Sequence, residues 1–264
     1  MRFRLNIQVS PDALIPINYQ YELSSWIYHV INNADSEFAD WLHKTGFTDG
    51  KRNYKLFTFS NLIVNNYEII KEDERLKIKS PEISLILSFL MPEAAEKFII
   101  GIFKNQNFTI GDKISKADFY IKTIEKLPEP VWTDNMTFKT LSPVLIGYKE
   151  KPTSDYNAEY LSPNDEKYEN LFFGNILRKY AVCTEPMKLK PLNELQFDGQ
   201  LKLKILNEPK AKLIKIKAFT PQQTKIKAYH FQFSINAPSE LIRVAYYSGF
   251  GQNGSGCGCV ELIE

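Results

Sequence analysis

Apolar and polar residues alternate at the beginning of the chain, where polar positions separate Phe3, Leu5, Ile7 and Val9. A period of two puts the four apolar side chains on one face, so it predicts a strand over residues 2–9. From Tyr19 to Val30 the apolar residues recur instead with the three- and four-residue spacing of one helix face. A strand followed by an amphipathic helix is therefore the predicted start of the fold.

A second, shorter helix is predicted next. Asp35 or Ser36 has a side chain that can cap its first turn, and Gly46 is a typical residue to end it. The side chains expected to face the core are Phe38, Trp41 and Leu42.

The later apolar segments of the first half complete a regular order of elements. Residues 54–60, 83–90 and 118–124 have strand patterns, and residues 92–103 have a helix pattern. With the first strand and helix they give the order β-α-β-β-α-β, which is that of the ferredoxin-like fold.

The second half repeats this order less clearly. The segment KLPEPVW at 126–132 contains two prolines and is predicted to link two domains. Beyond it we expect a strand, a helix starting at residues 162–163, two or three β segments within 194–234, and a last helix and strand. The prediction is an α+β protein of two tandem ferredoxin-like (βαββαβ) domains, residues 1–128 and 129–264.

The cysteines and the apolar runs indicate where in the cell the protein is expected. The best apolar run, 83–91, is about half the roughly 18 residues that a membrane span needs, so we expect no membrane association. The first residues alternate like a strand, whereas a signal peptide has an unbroken apolar stretch. Three cysteines without such a peptide make a disulfide framework improbable. We therefore expect a reducing, cytoplasmic location.

Charge is informative in its distribution rather than in its sum. The formal net charge is only +2, but residues 202–227 contain eight lysines and one acidic residue. Several are in Lys-x-Lys pairs, which on a strand point to one face: Lys215 with Lys217, and Lys225 with Lys227. Such a face suits a phosphate backbone. It also suits an edge strand that lysines protect from aggregation, and the sequence leaves the two interpretations about even.

The segment GFGQNGSGCGC at 249–259 contains the letters of a dinucleotide-binding fingerprint. That fingerprint needs a strand before it and a helix after it, and here the order is reversed. A zinc site would need more ligands than the Cys-x-Cys pair, which is expected to be small apolar side chains on a strand. A glycine-rich turn therefore remains, either purely structural or an anion-binding nest of exposed N–H groups. The predicted RNA-contacting glycines are Gly249, Gly251, Gly254 and Gly256.

Only three histidines are available for acid–base chemistry. His29 is expected on the outer face of the first helix. His230 lies on the lysine-rich strand segment, where it could contact RNA, although a plain strand position is favoured. His43 lies in the last turn of the second helix, where the dipole favours a protonated ring. Taken alone, His43 is better explained as a helix-capping residue. No metal-ligating cluster or hydrolase motif is present in the sequence, so any enzyme here is expected to need no metal or other cofactor.

Several segments in this order resemble the CRISPR-associated endoribonucleases that cut precursor CRISPR RNA within its repeats, members of the RAMP superfamily. The segments are MRFRLNI, QYELSSWIYHVI, FADWLHKTGF, YKLFTFS, TFKTLSPVLI and GFGQNGSGCGCVEL. They are collinear and span nearly the whole chain. The resemblance implies tandem ferredoxin-like domains, and metal-independent cleavage that leaves a 5′-hydroxyl and a cyclic phosphate.

The family's tyrosine, histidine and lysine correspond to Tyr28, His43 and Lys55. Cleavage by the ribose 2′-OH needs a base, an acid and a cation at the phosphorane. His43 is assigned as general base, with general acid as an alternative, while Lys55 stabilises charge and Tyr28 orients the 2′-OH or phosphate. Lys51 and Arg52 are alternative cations and expected RNA contacts.

Two functions from different classes follow from the resemblance. The first is the endoribonuclease, acting on CRISPR repeat RNA. The second is a repeat-RNA-binding subunit of an effector complex that has the same fold and does not cleave. Effector-complex subunits and a second copy of the chain are possible further partners.

Overall fold

The structure is a computed structural model. Its main elements are two antiparallel sheets, one in each half of the chain. It describes residues 1–148, 159–196, 199–216, 222–252 and 256–263. The elements of the first half are β1 (Arg2–Val9), β2 (Ala13–Pro16), α1 (Gln20–Ala34), α2 (Ser36–Lys44), β3 (Phe47–Thr48), β4 (Asn53–Tyr54), β5 (Phe57–Phe59), β6 (Tyr67–Ile70), β7 (Arg75–Ile78), β8 (Glu82–Phe89), α3 (Pro92–Lys104), β9 (Asn107–Gly111) and β10 (Lys116–Lys126).

The first sheet has the strand order β5-β8-β1-β10-β9, with every neighbouring pair antiparallel. Without β9, which extends one edge, this is the strand order of a ferredoxin-like domain in which α1 and α3 are the two helices. The apolar positions of β1 are all buried, as their alternation predicted. The strands β2, β7 and β6 form a separate small sheet.

The second half follows the same plan. Its elements are β11 (Asn135–Thr140), β12 (Gly147–Tyr148), β13 (Glu159–Tyr160), α4 (Tyr168–Thr184), a 3-10 turn (Leu192–Glu194), β14 (Lys202–Ile205), β15 (Lys210–Ile216), β16 (Thr224–His230), β17 (Gln232–Asn236), α5 (Ser239–Ser248) and β18 (Val260–Leu262). The sheet order β14-β17-β11-β18, with α4 and α5 as crossovers, is again ferredoxin-like. The predicted α+β class with two tandem ferredoxin-like domains is confirmed.

Three local predictions differ from the structure. The fourth helix begins at Tyr168 rather than at residue 162, because the Asp165 carboxylate accepts a hydrogen bond from the Ser162 N–H and holds a turn there. The described part of the region from residue 194 onward holds four strands where two or three were expected, since β15 and β16 form an extra hairpin outside the main sheet. Trp41 does not face the core; it is 39% exposed.

The two domains pack through α5 and the segment that follows it. The Ser88 hydroxyl on β8 donates to the Tyr246 carbonyl oxygen at 3.4 Å. Arg2, which is 3% exposed, donates to the Val260 carbonyl and stacks its guanidinium 4.3 Å from the centre of the Tyr246 ring. No helix within the described ranges is long and apolar enough to cross a membrane.

Candidate active site and RNA interface

Three elements of the first domain bring the predicted catalytic side chains together. Tyr28 lies on α1, His43 lies in the last turn of α2, and Lys55 lies just before β5. The Asp35 carboxylate caps α2 by accepting from the Phe38 N–H at 3.0 Å. The cap at one end of α2 and Gly46 at the other fix where the helix ends, and therefore where His43 lies.

Tyr28 contacts the His43 ring, and Lys55 contacts the His43 backbone. The rings of Tyr28 and His43 meet edge to face, with centroids 5.0 Å apart and planes at 87°. The Lys55 ammonium donates a 2.7 Å hydrogen bond to the backbone carbonyl of His43. A side chain at Gly46 would lie 2.6 Å from the Tyr54 carbonyl oxygen, so glycine allows this close approach of the two segments.

Exposure and charge differ among the three residues. The His43 side chain is exposed, so a substrate can reach its ring. Burial raises the pKa of Tyr28, which keeps its hydroxyl protonated at neutral pH and suits it to donate a hydrogen bond. Burial also lowers the pKa of Lys55 from its ordinary value. The cluster thus offers one accessible imidazole, one hydrogen-bond donor and one ammonium group.

Lys51 and Arg52 lie close by in sequence, in the turn between β3 and β4. The Asp49 carboxylate accepts hydrogen bonds from both of their backbone N–H groups, at 2.9 and 2.7 Å. Both side chains are exposed. The turn is joined to α2 because the Asn53 side chain donates to the Lys44 carbonyl. These two cations therefore lie on a hairpin that extends from the end of the helix that carries His43.

The lysine-rich region is the hairpin β15–β16. Its register places Lys215 opposite Lys225, and puts Lys227 on the same face, as the alternation predicted. Lys225 and Lys227 are exposed, whereas Lys215 is paired with Glu74 of the first domain. This ion pair relieves the repulsion expected between directly opposed lysines. Lys217 lies outside the described residues.

The described residues of the glycine segment are buried except Gln252, which is half-buried, and backbone N–H groups among them bond within the protein where exposed N–H groups were expected. The Phe250 N–H donates to the Gly258 carbonyl at 2.9 Å, and the Gln252 N–H donates to the Leu145 carbonyl at 2.8 Å. The Thr58 hydroxyl of β5 donates to the Cys257 carbonyl at 2.9 Å. The segment therefore packs against the first domain. RNA contact by Gly249, Gly251 and Gly256 stays a prediction, and Gly254 lies outside the described residues.

Lys179 on α4 is a residue that the sequence analysis missed. It is 1% exposed, and its ammonium donates to the carbonyl oxygens of Gly249 and Gly251 at 2.5 and 2.6 Å. Burial lowers its pKa far below the ordinary lysine value. Lys179 lies seven positions after Phe172 and three after Ile176, so its helical spacing from two buried residues was the available signal.

The other candidate polar groups have structural partners. His29 is exposed, as expected, and His230 is half-buried, with its ring nitrogens near the Thr140 hydroxyl (3.0 Å) and the Asn61 amide (3.4 Å). Burial lowers the pKa of His230 to about 4. The cysteines are unpaired and buried. Among the described residues, no three His, Cys, Asp or Glu side chains are grouped so as to hold a metal ion.

Fold and site together define a protein of two ferredoxin-like domains with a Tyr–His–Lys cluster on the first. Two family models match this chain: "CRISPR associated protein Cas6, C-terminal" over residues 127–262, and "CRISPR-associated protein Cas6, N-terminal" over residues 14–125. The chain belongs to the Cas6 family. The resemblance noted in the sequence is thereby confirmed.

Individual relatives are similar over nearly the whole length. A protein of Methanocaldococcus jannaschii named "CRISPR-associated endoribonuclease Cas6 1" is 27% identical, covering 100% of this chain and 93% of the relative. The "CRISPR-associated endoribonuclease Cas6" of Pyrococcus furiosus is 26% identical, covering 94% and 83%. A solved structure of a Cas6-related protein from Pyrococcus furiosus superposes with a TM-score of 0.81 at 25% identity, covering 100% and 98%.

Proposed function

We propose that this protein is an endoribonuclease that cleaves precursor CRISPR RNA within its repeats by attack of a ribose 2′-OH, without a metal ion. The products are a 5′-hydroxyl and a cyclic phosphate. The observation that carries the proposal is the cluster of Tyr28, His43 and Lys55, at the positions where the family's catalytic residues are expected. The relatives named as endoribonucleases support it at the level of the family.

The three residues divide the chemistry by their properties. His43 is exposed, and its imidazole is the side chain most often used for proton transfer, so it takes the 2′-OH proton as general base. The opposite role, as general acid for the leaving 5′-oxygen, uses the same ring and remains the alternative. Lys55 stabilises the charge of the phosphorane, and its hydrogen bond to the backbone carbonyl of His43 holds its ammonium at the end of α2. Tyr28, which burial keeps protonated, orients the 2′-OH or the phosphate.

RNA binding is assigned to exposed cations of both domains. Lys51 and Arg52 extend from the end of α2, and Lys225 and Lys227 lie on the exposed face of the β15–β16 hairpin. Exposed cations of this kind neutralise the phosphates of an RNA strand. Lys215 is a weaker candidate because Glu74 already neutralises it.

The test uses labelled repeat RNA incubated with the protein in EDTA. We expect wild type to cleave and His43→Ala to lose about 100-fold or more in rate while still binding RNA. His29→Ala is the matched control, because His29 is also an exposed helical histidine and adjoins Tyr28. A single 2′-deoxy ribose upstream of the cut should stop cleavage without weakening binding. If wild type and His43→Ala both bind the RNA and both leave it uncleaved, the enzyme proposal is wrong.

The alternative is a non-cleaving repeat-RNA-binding subunit of an effector complex. One observation favours it: the Lys55 ammonium already donates one hydrogen bond to the His43 carbonyl, which leaves fewer donors for a phosphate. In that case wild type and His43→Ala bind repeat RNA equally, and neither cuts it. Effector subunits and a second copy of the chain are then the partners to look for, by copurification and by light scattering.

A further inference from the structure

Lys55 lies in a short segment whose side chains enter the cores of both domains. Phe57 and Phe59 pack in the core of the first domain, where the Phe57 ring is 5.6 Å from that of Tyr28. Tyr54 and Leu56 pack instead in the core of the second domain. Lys55 is therefore flanked on both sides by residues that the second domain buries.

Leu56 has a backbone conformation that leucine rarely adopts. Its φ is +52°, in the left-handed region, although it is not a glycine. Its side chain is 1% exposed, and its carbonyl accepts a hydrogen bond from the Leu90 N–H at 3.0 Å. Such a conformation persists only where the surroundings hold it, and it is found preferentially at functional sites. Here the surroundings are the core of the second domain.

A second link joins the same segment to the second domain. The Thr58 side chain is 0% exposed, and its hydroxyl donates to the carbonyls of Gly256 and Cys257 at 3.2 and 2.9 Å. A side chain on Gly256 would lie 2.3 Å from the Phe59 ring, so the contact leaves no free space. The strand β5 is only three residues long, which makes these contacts important for its position.

We propose that Leu56 is a positioning residue for Lys55, and that the second domain thereby completes the active site located on the first. Burial of Leu56 in the second core holds its left-handed turn. That turn directs Lys55 back toward the His43 carbonyl, and Thr58 fixes the strand that follows. The inference rests on the proposed function, since it concerns the placement of the cation used in cleavage.

The main test is Leu56→Gly, because glycine adopts a positive φ without strain and lacks the buried side chain. We expect the single-turnover cleavage rate to fall about 10- to 100-fold, as for a displaced catalytic group, while RNA affinity changes less than about twofold. Leu56→Met keeps an apolar side chain in the core and should restore most of the rate. Thr58→Val, which keeps the shape and removes the hydroxyl, should slow cleavage about 3- to 10-fold with unchanged affinity.

The matched control is Ile235→Ala, which removes a buried aliphatic side chain from the same core on a strand in the other half of the chain. It should lower the melting temperature and leave the cleavage rate of the folded protein unchanged. Wild-type rates in both Leu56→Gly and Thr58→Val would overturn the inference. So would equal loss of rate in Ile235→Ala, or a fall in affinity parallel to the fall in rate. If wild type itself does not cleave, the proposed function fails first, and the positioning role falls with it.

Discussion

The sequence predicts functional residues both at the end of α2 and in the glycine segment at residues 249–259. In the structure the two regions differ in exposure. At the end of α2 the His43 side chain is exposed beside Tyr28 and Lys55. In the glycine segment Phe250 and Cys259 are fully buried, and the carbonyls of Gly249 and Gly251 bind the buried Lys179. Glycines permit close approach of any neighbour, and here the described neighbours are protein atoms.

The largest effect should come from the exposed region. Lys55→Ala removes the cation beside the phosphorane and should lower the cleavage rate about 100-fold, with little change in thermal stability. Lys44→Ala is the control, since Lys44 is exposed on the same helix as His43 and its ammonium pairs with Asp40. Single-turnover cleavage of labelled repeat RNA measures both. A normal rate in Lys55→Ala would show that Lys55 is not the required cation, and Lys51 and Arg52 would then be tested.

Substitutions in the glycine segment should lower the stability of the folded protein. A side chain at Gly258, where φ is +85°, would lie 2.0 Å from the Phe250 carbonyl oxygen. We expect Gly258→Ala to lower the free energy of unfolding by about 2 to 4 kcal/mol, measured by denaturant titration. At Gly50 the φ is similar, +82°, and the side chain would meet nothing, so Gly50→Ala isolates the conformational cost of about 1 kcal/mol. Weakened RNA affinity in a Gly258→Ala protein of normal stability would mark the segment as an RNA-binding surface.

Protonation of His230, the last residue of β16, should lower the stability of the folded protein in acid. Its pKa is about 4 in the folded protein against 6.5 in the unfolded chain, with burial as the main cause and the nearby Lys212 ammonium as the second. Between these values the unfolded chain binds a proton that the folded protein does not, so stability falls as the pH drops from 6.5 to 4. Allowing for partial exposure, we expect about 2 kcal/mol.

His230→Gln should flatten this part of the pH dependence, because glutamine does not titrate. Unfolding midpoints in denaturant from about pH 4 to 7 measure it. An identical slope in wild type and His230→Gln would mean that another group carries the acid sensitivity.

The hairpin cations should give the smallest effect, on binding alone. Lys225→Ala with Lys227→Ala should weaken RNA affinity about 10-fold or less, and reduce the slope of log affinity against log salt by about 0.7 for each phosphate that the protein no longer neutralises. The cleavage rate at saturating RNA should not change. Lys113→Ala with Lys116→Ala is the matched control, since Lys113 in the β9–β10 turn and Lys116 at the start of β10 are both exposed. An unchanged salt slope would mean that these lysines do not bind RNA and serve only to protect an edge strand from aggregation.

Some of this architecture was readable from local pattern and some was not. The alternation in β1 and the helical spacing in α1 identified buried faces correctly, because each element buries one side whatever it packs against. The start of α4 was wrong because Asp165 bonds locally to the chain before it. The hairpin β15–β16 was undercounted because strand patterns do not say which sheet a strand joins. Lys179 went unnoticed because a lysine is rarely buried, and its two carbonyl partners are about 70 residues away.

The sequence by itself determined the β-α-β-β-α-β order of the main elements, the two-domain plan and the residue types available for acid–base chemistry, since these depend on period and composition. Only the tertiary structure decided which candidates meet: Tyr28 and Lys55 lie on separate segments and each contacts His43 only after α1, α2 and the chain before β5 have packed. It also decided that the glycine segment lies against Thr58, and that Leu56 turns left-handed into the other domain's core. Contacts between distant segments arise from how whole faces pack, and no local pattern encodes them.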